Sequence, residues 1–537
     1  MKVNVLKRVW MAAWTGVTLA SLPALAVEAS GPPPPKDSPV MAIPPLPPSA
    51  GQWKIESKAS RAPIAPRRYV VERSGVFDGR KMHYSVTAED IVISDANGTP
   101  KGSIFSFTYK SPAPAGAQRP VVFIFNGGPG SASTWLHMGV IGPRRADFTD
   151  VNPSQVPPFH VVDNPNSLIS EADLVFIDPI GTGFSRYWGE GRPEDFYGAE
   201  EDAASVARFI QSWLRRHHRW NSPKFLLGES YGTYRANMLS RRLMGGVLDG
   251  TLKGISLNGV ILVGGDGGLA RPEGNDKFLP TFTTMAATAW YHARADRQGR
   301  EFDSFIAQAE RFARDELVPA LNRWDSLTDT QKAQLAVKHA GFTGLSVDYL
   351  LSKGLRIMPS DFGSALLADQ GKTIGHYDSR YVLPTAGSLG DPVADDGAMG
   401  QYSAAFIGAF NNYIRDDLGI DIDDDYVNID FLNVNFPWRN PPYAPGVPAP
   451  GSDPGADIAA AMRRNPDLQL MTIEGWFDLF GAVGSAKFGV AQRQLPQDRV
   501  IAKAYWSGHM AYVGQAGVQM AKDLREFIRT ASKGRQK

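Results

Sequence analysis

Gly228-Glu229-Ser230-Tyr231-Gly232 is the stretch of sequence that decides the fold. It follows the apolar run Phe225 to Leu227, and the residues after it, Thr233 to Met244, have helical spacing. A serine between two glycines at a strand-to-helix junction is typical of a nucleophile elbow, a tight turn that lifts the Ser hydroxyl clear of the sheet. A side chain at either Gly position would collide with neighbouring backbone. The pattern is short, so its interpretation depends on whether a base, an orienter and oxyanion donors occur elsewhere in the chain.

Two segments near the C-terminus supply a base and an orienter for such a serine. His509 follows a predicted strand at Val500 to Trp506, and Asp478 follows one at Leu468 to Ile473. Serine, aspartate and histidine thus occur in the chain order found in α/β-hydrolases. We therefore predict a triad with Ser230 as nucleophile, His509 as general base and Asp478 as the residue that orients the base.

Two other acidic residues compete for the orienting role. Glu474 still belongs to the end of its predicted strand, and Asp498 precedes its strand instead of following it. Asp478 is preferred, because loops after the carboxyl ends of parallel strands meet at one edge of a sheet.

A Gly-rich turn after an early strand is a candidate for part of an oxyanion hole. Asn126-Gly127-Gly128-Pro129-Gly130 follows the apolar run Val121 to Phe125. Backbone N–H groups of such a turn, together with that of the residue after the nucleophile, Tyr231, can stabilise the oxygen of a tetrahedral intermediate. Glycines in the turn let a substrate approach the backbone closely.

Continuous apolar runs alternate with helical segments in the first half of the chain. Val121 to Phe125, Leu174 to Ile177 and Val260 to Val263 are typical of strands buried on both faces. Ala199 to Arg215 has helical spacing, and three earlier runs predict strands: Met82 to Val86, Asp90 to Ser94 and Ile104 to Tyr109. An Asn97-Gly98 pair predicts a hairpin between the last two. This alternation predicts an α/β fold with a doubly wound, mostly parallel sheet.

The pattern changes between Leu269 and Ala460, where helical pieces alternate with Gly- and Pro-rich loops. Strand–helix alternation returns after this region. We therefore predict one large, mainly helical cap insertion in an α/β core, and not two domains in series. The predicted organisation is a signal peptide (1–26), a Pro-rich linker (27–66), a first core part (67–268), the cap insertion (269–460) and a second core part (461–537).

The N-terminus has the pattern of a secretory signal. Lys2, Lys7 and Arg8 precede an apolar stretch from Val9 to Leu22, and Ala24-Leu25-Ala26 fits a cleavage site. A membrane anchor is the alternative, but the apolar stretch is shorter than the roughly 20 residues that a spanning helix needs. We predict an exported protein, periplasmic or secreted, that is free of the membrane after cleavage.

Composition excludes several classes of function. The net charge of +1 over 537 residues gives no reason to expect nucleic acid as a partner. The chain contains no cysteine, which excludes disulfides, thiolate metal sites and a Cys nucleophile. We predict no metal and no cofactor, and the sequence does not indicate the oligomeric state.

Four motifs in this order resemble the serine carboxypeptidase family of the α/β-hydrolase superfamily. Phe125 to Ser133 (FNGGPGSAS) is similar to the family's NGGPGCSS, and Asp178 to Ser185 (DPIGTGFS) is similar to its PxGxGFS segment. The GESYG elbow and Gly508-His509-Met510 resemble its remaining two motifs. The similarity covers roughly residues 75–265 and 465–515, and the insertion shows none.

The resemblance implies a role for each motif besides the triad. It implies an oxyanion hole formed by the amides of Gly128 and Tyr231, and a site for the substrate's terminal carboxylate formed by Asn126, Gly127 and Glu229. Such a glutamate must be protonated to share a hydrogen with another carboxylate, because two bare anions in one site repel. The resemblance therefore implies a peptide substrate and an acidic preference for peptidase work.

One departure from the family pattern concerns this carboxylate site. The family places a second Glu shortly before a Gly-Pro pair, and the matching position is Val140, just ahead of Gly142-Pro143. The acidic pair is therefore incomplete. Arg144 or Arg145 is a candidate to compensate by pairing a carboxylate.

Three functions are compatible with these residues. The favoured one is an exported serine carboxypeptidase that releases C-terminal residues through an acyl-enzyme on Ser230. An esterase or acyltransferase with the same triad is the second, because Val140 makes the pocket less polar. A catalytically idle binding protein with the same fold is the third.

Overall fold

A ten-stranded mixed sheet organises the described part of the chain. The computed structural model describes residues 62–113, 118–147, 155–440 and 453–534, so the predicted signal peptide and nearly all of the predicted linker lie outside the described residues. The main strands are β1 (Arg68–Phe77), β2 (Arg80–Ser94), β3 (Pro100–Lys110), β4 (Val121–Phe125), β5 (Asp173–Ile177), β6 (Lys224–Glu229), β7 (Gly259–Val263), β8 (Gln469–Gly475) and β9 (Val500–Tyr505). A short tenth strand, Arg186–Tyr187, pairs with β3.

The strands follow the order β1-β2-β3-β5-β4-β6-β7-β8-β9 across the sheet. β1, β2 and β3 form an antiparallel meander, and β3 is antiparallel to β5. From β5 to β9 every neighbouring pair is parallel. The predicted doubly wound, mostly parallel sheet is confirmed.

The predicted strands agree with the observed ones, with one exception. β4 begins and ends at the predicted residues, and the hairpin predicted at Asn97-Gly98 joins β2 to β3. The runs Met82 to Val86 and Asp90 to Ser94, predicted as separate strands, form the single 15-residue strand β2. The polar residue between them, Glu89, is buried, and its carboxylate accepts hydrogen bonds from Arg216 at the end of the first long helix and from His217 directly after it.

Helices cover both faces of the sheet. The longer ones are α1 (Ala199–Arg216), α2 (Tyr231–Arg242), α3 (Phe278–Tyr291), α4 (Phe302–Phe312), α5 (Asp329–Thr343), α6 (Met399–Asn412), α7 (Pro454–Arg464), α8 (Ser485–Gln492) and α9 (Gln515–Ala531). Shorter α-helical pieces are Thr134–Leu136, Val318–Asn322, Val347–Ser352 and Pro359–Ala365. One apolar layer packs α1, α2 and α7 against one face, and another packs α6 and α9 against the opposite face.

The region predicted as an insertion is mainly helical. α3, α4 and α5 enclose an apolar cluster of their own, which also takes in Phe477 and Leu479 from the loop after β8. A small hairpin, Lys372–Ile374 with Val382–Pro384, projects from this region. The predicted end of the insertion at residue 460 falls inside α7, whose Ile458 packs with the core. In the described residues no helix combines the length and apolarity needed to cross a membrane.

Candidate active site

The GESYG segment forms a strained turn between β6 and α2. Ser230 has φ 58° and ψ −127°, a conformation that costs energy for a residue with a side chain. A Cβ on Gly228 would overlap the Gly232 carbonyl, and one on Gly232 would lie 2.9 Å from the Phe125 carbonyl oxygen. Both glycines are therefore required by the turn, as predicted. The Ser230 N–H donates to the Val263 carbonyl at the end of β7 (2.9 Å), which fixes the turn to the sheet.

The loops that carry the predicted triad leave the same edge of the sheet. β6, β7, β8 and β9 are consecutive and parallel, so the segments after β6, β8 and β9 emerge side by side. Gly264, which follows β7, faces this group: a Cβ there would lie 2.6 Å from the His509 carbonyl oxygen and 3.2 Å from its Nδ1. The bare backbone at Gly264 lets the imidazole rest against the end of β7.

Asp478 and His509 form a buried hydrogen-bonded pair. The His509 Nδ1 lies 2.7 Å from the Asp478 Oδ2. The other Asp478 oxygen accepts the backbone N–H groups of Phe480 (2.9 Å) and Gly481 (2.8 Å). Burial lowers the pKa of His509, but the Asp478 carboxylate outweighs it and the pKa is raised. Nε2 is buried and has no hydrogen-bond partner among the described residues, so it is the nitrogen available to take a proton.

Neither competing acid lies at His509. Both carboxylate oxygens of Glu474 accept N–H groups at the start of α8, from Gly484 (3.1 Å) and Ala486 (3.0 Å). Asp498 lies in the turn before β9, at the opposite end of the strand from His509. The structure thus brings Asp478, and neither alternative, to the imidazole.

The Gly-rich turn after β4 packs directly on the elbow. A Cβ on Gly127 would overlap the Tyr231 nitrogen and lie 2.7 Å from the Glu229 carbonyl oxygen. Gly128 has φ 97°, a conformation that favours glycine. The two predicted sources of oxyanion donors, the Gly128 and Tyr231 amides, are therefore on segments in van der Waals contact.

A buried ion pair joins this turn to the helix after the elbow. The Arg235 guanidinium donates to the Asp202 carboxylate (2.6 Å) and to the Asn126 carbonyl oxygen (2.7 Å). It also lies over the rings of Phe125 and Tyr231, 5.2 and 5.4 Å from their centroids. Arg235 therefore holds the turn after β4 and the elbow in one arrangement.

Another buried acid, Asp178 of the DPIGTGFS motif, anchors the segment after the turn. It accepts hydrogen bonds from the backbone and hydroxyl of Ser133 (2.9 and 2.8 Å) and from the Tyr426 hydroxyl (2.8 Å). Burial raises the pKa of Asp178 to about 6. The motif thus contributes a fixed support beneath the turn, and none of these contacts reaches Ser230.

Glu229 lies beside the nucleophile in a polar but enclosed environment. Its Oε2 accepts from the Asn126 side-chain amide (2.6 Å) and from the Tyr512 hydroxyl (2.8 Å). Asn126 in turn accepts the Leu136 N–H at its Oδ1 (3.1 Å), which sets the orientation of its amide. Burial raises the pKa of Glu229 to about 7, against the lowering effect of His509 and of the two hydrogen bonds.

The residues predicted to replace the missing second acid do not approach Glu229. Arg144 donates to the Asp163 carboxylate (2.6 Å), and Arg145 donates to the Ala146 carbonyl (3.1 Å). Val140 is buried in the apolar layer, as its side chain requires. Among the described residues, the side chain that donates a hydrogen bond to Glu229 in addition to Asn126 is Tyr512.

Sequence reasoning missed three of these residues. Tyr512 lies three positions after His509, and Arg235 lies five positions after Ser230. The only signal for Tyr512 was an aromatic hydroxyl close in sequence to the predicted base. Arg235 and Asp202 had none, because their contacts join segments that are distant in the chain.

A segment of the predicted insertion is hydrogen-bonded to the loops that carry Asp478 and His509. The His509 N–H donates to the Tyr377 carbonyl (2.6 Å), and the Leu479 N–H donates to the His376 carbonyl (2.9 Å). The Tyr377 ring stands edge-on to the imidazole with 5.3 Å between centroids. Asp396 holds this segment, because its Oδ2 accepts the His376 N–H (2.5 Å). The predicted insertion therefore contacts the site directly.

No group of three or more His, Asp or Glu side chains in the described residues has an arrangement suited to a metal ion. Two pairs of polar side chains in the site, Asp478–His509 and Glu229–Asn126, are hydrogen-bonded to each other.

Comparisons with known proteins agree with the motifs. The serine carboxypeptidase family model matches residues 94–339. Serine carboxypeptidase-like 51 of Arabidopsis thaliana is 30% identical over 170 residues, which cover 30% of this chain and 34% of the relative. Serine carboxypeptidase-like 33 of the same plant is 30% identical over 149 residues, covering 26% and 28%. The chain thus spans about a third of the length of the curated relatives it matches.

Among solved structures, the chain is similar to Kex1(delta)p, a prohormone-processing carboxypeptidase from Saccharomyces cerevisiae. The identity is 16%, the TM-score is 0.49, and the match covers 84% of this chain and 91% of that one. The predicted resemblance is confirmed by the family model, whose match contains three of the four motifs. The match extends to residue 339, so the prediction that the insertion shows no similarity is wrong for its first part. Residues 94–339 are therefore similar to the serine carboxypeptidase family, and the sheet around them has the predicted α/β-hydrolase fold.

Proposed function

We propose that this protein is an exported serine carboxypeptidase-like hydrolase that releases C-terminal residues from peptides through an acyl-enzyme on Ser230. The observation that carries the proposal is the pair Asn126–Glu229, a neutralisable carboxyl group held beside a nucleophile elbow. A serine hydrolase that does not bind a free carboxylate gains nothing from a carboxyl group buried at that place, because the burial of an ionisable group costs free energy.

The chemistry begins with His509. Its Nε2 takes the proton from the Ser230 hydroxyl as the oxygen attacks the carbonyl of the last peptide bond. Asp478 keeps the proton on Nδ1 and stabilises the imidazolium. The Gly128 and Tyr231 N–H groups receive the negative charge of the tetrahedral oxygen. His509 then gives its proton to the leaving amine, and a water molecule repeats the sequence to free the acyl group.

Recognition of the chain end is assigned to the neighbouring polar groups. The Asn126 amide, the Gly127 N–H and a protonated Glu229 donate hydrogen bonds to the substrate's terminal carboxylate. An ionised Glu229 would repel that carboxylate, so binding needs the neutral acid. With its pKa at about 7, Glu229 is neutral in mildly acidic solution.

The proposed partner is a peptide, and the proposed location is periplasmic or secreted because of the signal pattern before Val27. The reaction needs no metal and no cofactor, since the triad and backbone donors supply all its proton transfers and charge stabilisation. Export is tested separately by mass spectrometry of the mature N-terminus.

The decisive experiment compares two peptides that differ only in a free or an amidated C-terminus. We expect purified protein at pH 5.5 to favour the free form in kcat/KM by at least tenfold, and Ser230→Ala to abolish the activity. Fluorophosphonate labelling of Ser230 provides an independent readout of the nucleophile. Equal rates on both peptides would reject carboxylate recognition, and a folded protein that neither labels nor cleaves would favour an idle binding protein.

An esterase or acyltransferase is the second candidate, favoured by the buried apolar Val140 where the resemblance leads one to expect an acid. Activity on short-chain esters, together with no peptide cleavage from mildly acidic to neutral pH, would select it.

A further inference from the structure

The two oxygens of the Glu229 carboxyl group are in different environments. Both described donors, the Asn126 amide and the Tyr512 hydroxyl, reach the same oxygen, Oε2, at 2.6 and 2.8 Å. No described group donates to Oε1, which is also not fully enclosed. Oε1 is therefore the oxygen that a bound substrate can reach.

This asymmetry decides where a proton on Glu229 sits. A carboxyl oxygen that accepts two hydrogen bonds behaves as the carbonyl oxygen of the neutral acid, and the proton is favoured on the other oxygen. The protonated group then presents Oε1–H outward as a donor. A terminal carboxylate is an acceptor only, so this is the orientation that it requires.

The Tyr512 ring is buried and closely packed where its hydroxyl reaches Glu229. A Cβ on Gly139 would overlap the ring, and the Phe406 ring packs against it with 6.5 Å between centroids. Gly139 immediately precedes Val140, the position of the missing acid. The tyrosine therefore packs on the residue just before that position.

Tyr512 differs from a second carboxyl group in its titration. Burial keeps the pKa of Tyr512 well above its usual value, so the hydroxyl donates over the whole working range. The titratable groups that face Glu229 are His509 and Asp478 after the neighbouring strands, and Tyr377 and Tyr402 from the insertion. The three tyrosines stay neutral, so the acid whose proton is essential for substrate binding is Glu229 alone.

We infer that Tyr512 takes the place of the missing second acid and is the positioning residue that turns the Glu229 proton toward the substrate's terminal carboxylate. The inference rests on the proposed function, because it assigns how this chain recognises the carboxylate. It also explains why Val140 is compatible with exopeptidase selectivity.

The test measures kcat/KM on the free and amidated peptides from pH 4.5 to 8.5 for wild type, Tyr512→Phe and Tyr505→Phe. Tyr505 is the matched control, because its hydroxyl also donates to a carboxylate, Asp523 (2.7 Å), away from Glu229. At pH 5.5 we expect Tyr512→Phe to lower the preference for the free peptide about tenfold, the loss for one hydrogen bond. Its alkaline limit should move to higher pH, because the hydrogen bond from Tyr512 lowers the pKa of Glu229.

The outcomes separate the two proposals. If Tyr512→Phe, like Tyr505→Phe, keeps the wild-type preference for the free peptide, the role of Tyr512 is overturned and the proposed function stays intact. A lowered preference without any shift in the alkaline limit would indicate a packing role only and would also overturn it. Equal wild-type rates on both peptides would overturn the proposed function and, with it, the role of Tyr512.

Discussion

Glu229 is the residue on which carboxylate selectivity depends, and its charge state is open to a direct test. We expect Glu229→Gln to retain preference for a free C-terminus above pH 7, where wild type loses it as Glu229 ionises. A Gln amide resembles the neutral acid: its oxygen can accept from Asn126 and Tyr512, and its NH2 group can donate where Oε1–H does. The measurement is kcat/KM on the free and amidated peptides at pH 8. Parallel loss of preference in both proteins would contradict the titration of Glu229 as the cause.

The assignment of Asp478 as orienter leads to a second prediction. Asp478→Asn should lower kcat by about 10³- to 10⁴-fold, because an amide cannot hold the proton on Nδ1 of His509 and stabilise the imidazolium. Glu474→Gln is the matched control and should stay within about tenfold of wild type, since Glu474 contacts the start of α8 instead. Single-turnover acylation with a reactive ester reports on this step. A larger loss of kcat in Glu474→Gln than in Asp478→Asn would assign the role of orienting His509 to Glu474.

At the residue scale, the sequence predicts the catalytic residues whose positions follow from local sequence patterns. Ser230 is marked by glycines that the turn requires, and Asp478 and His509 are marked by their positions after late strands. Tyr512 and Arg235 follow from no such pattern. Tyr512 lies 283 residues from Glu229, and Arg235 lies 109 residues from Asn126, so packing between distant segments decides these contacts and a single sequence does not reveal them.

At the scale of elements, strands were predictable because parallel strands buried on both faces are continuous apolar runs. β2 was predicted as two strands because the sequence does not distinguish a buried, hydrogen-bonded Glu89 from an exposed glutamate. The segment that joins the insertion to the core was not predictable for a related reason. His376 and Tyr377 contact the loops of Asp478 and His509 mainly through backbone carbonyls, which every residue type possesses.

That segment yields the third prediction. Asp396 accepts N–H groups from His376 (2.5 Å) and from the first turn of α6, at Ala398 (2.9 Å) and Met399 (3.0 Å). Asp396→Ala should therefore release the Tyr377 carbonyl from the His509 backbone, lowering kcat and the rate of fluorophosphonate labelling about tenfold each. Loss of these hydrogen bonds at the start of α6 should cost about 1 kcal/mol of stability.

Asp395→Ala is the control for this variant. Asp395 is adjacent in sequence, but the hydrogen bonds that it accepts from described residues come from its own exposed turn, at Ser388, Leu389 and Asp391. We expect wild-type labelling in the control. Wild-type labelling by a folded Asp396→Ala protein would show that the hydrogen bonds from the insertion segment do not position His509.

At the scale of the whole molecule, the fold buries several carboxyl groups in surroundings that favour their neutral form. Burial raises the pKa of Glu474 to about 8 and that of Glu229 to about 7. In the opposite direction, burial lowers the pKa of His137 and His339 to about 3. The two histidines make stability rise with pH up to about 6.5, their ordinary pKa. Above that pH they are neutral in the folded and unfolded chain, and the acids decide the trend.

This leads to the last prediction, a fall in stability from pH 6.5 to 8. The folded pKa of Glu474 exceeds its unfolded value near 4.5, so the folded state holds a proton that the unfolded state has lost, and stability decreases as pH rises toward 8. Glu474 alone should contribute about 2 kcal/mol to that fall. Glu474→Gln loses one acceptor at α8 and should be about 1 kcal/mol less stable at pH 6.5. Its free energy of unfolding in urea should nevertheless vary less between pH 6.5 and 8 than that of wild type, and an equally steep fall in both would contradict a buried neutral Glu474.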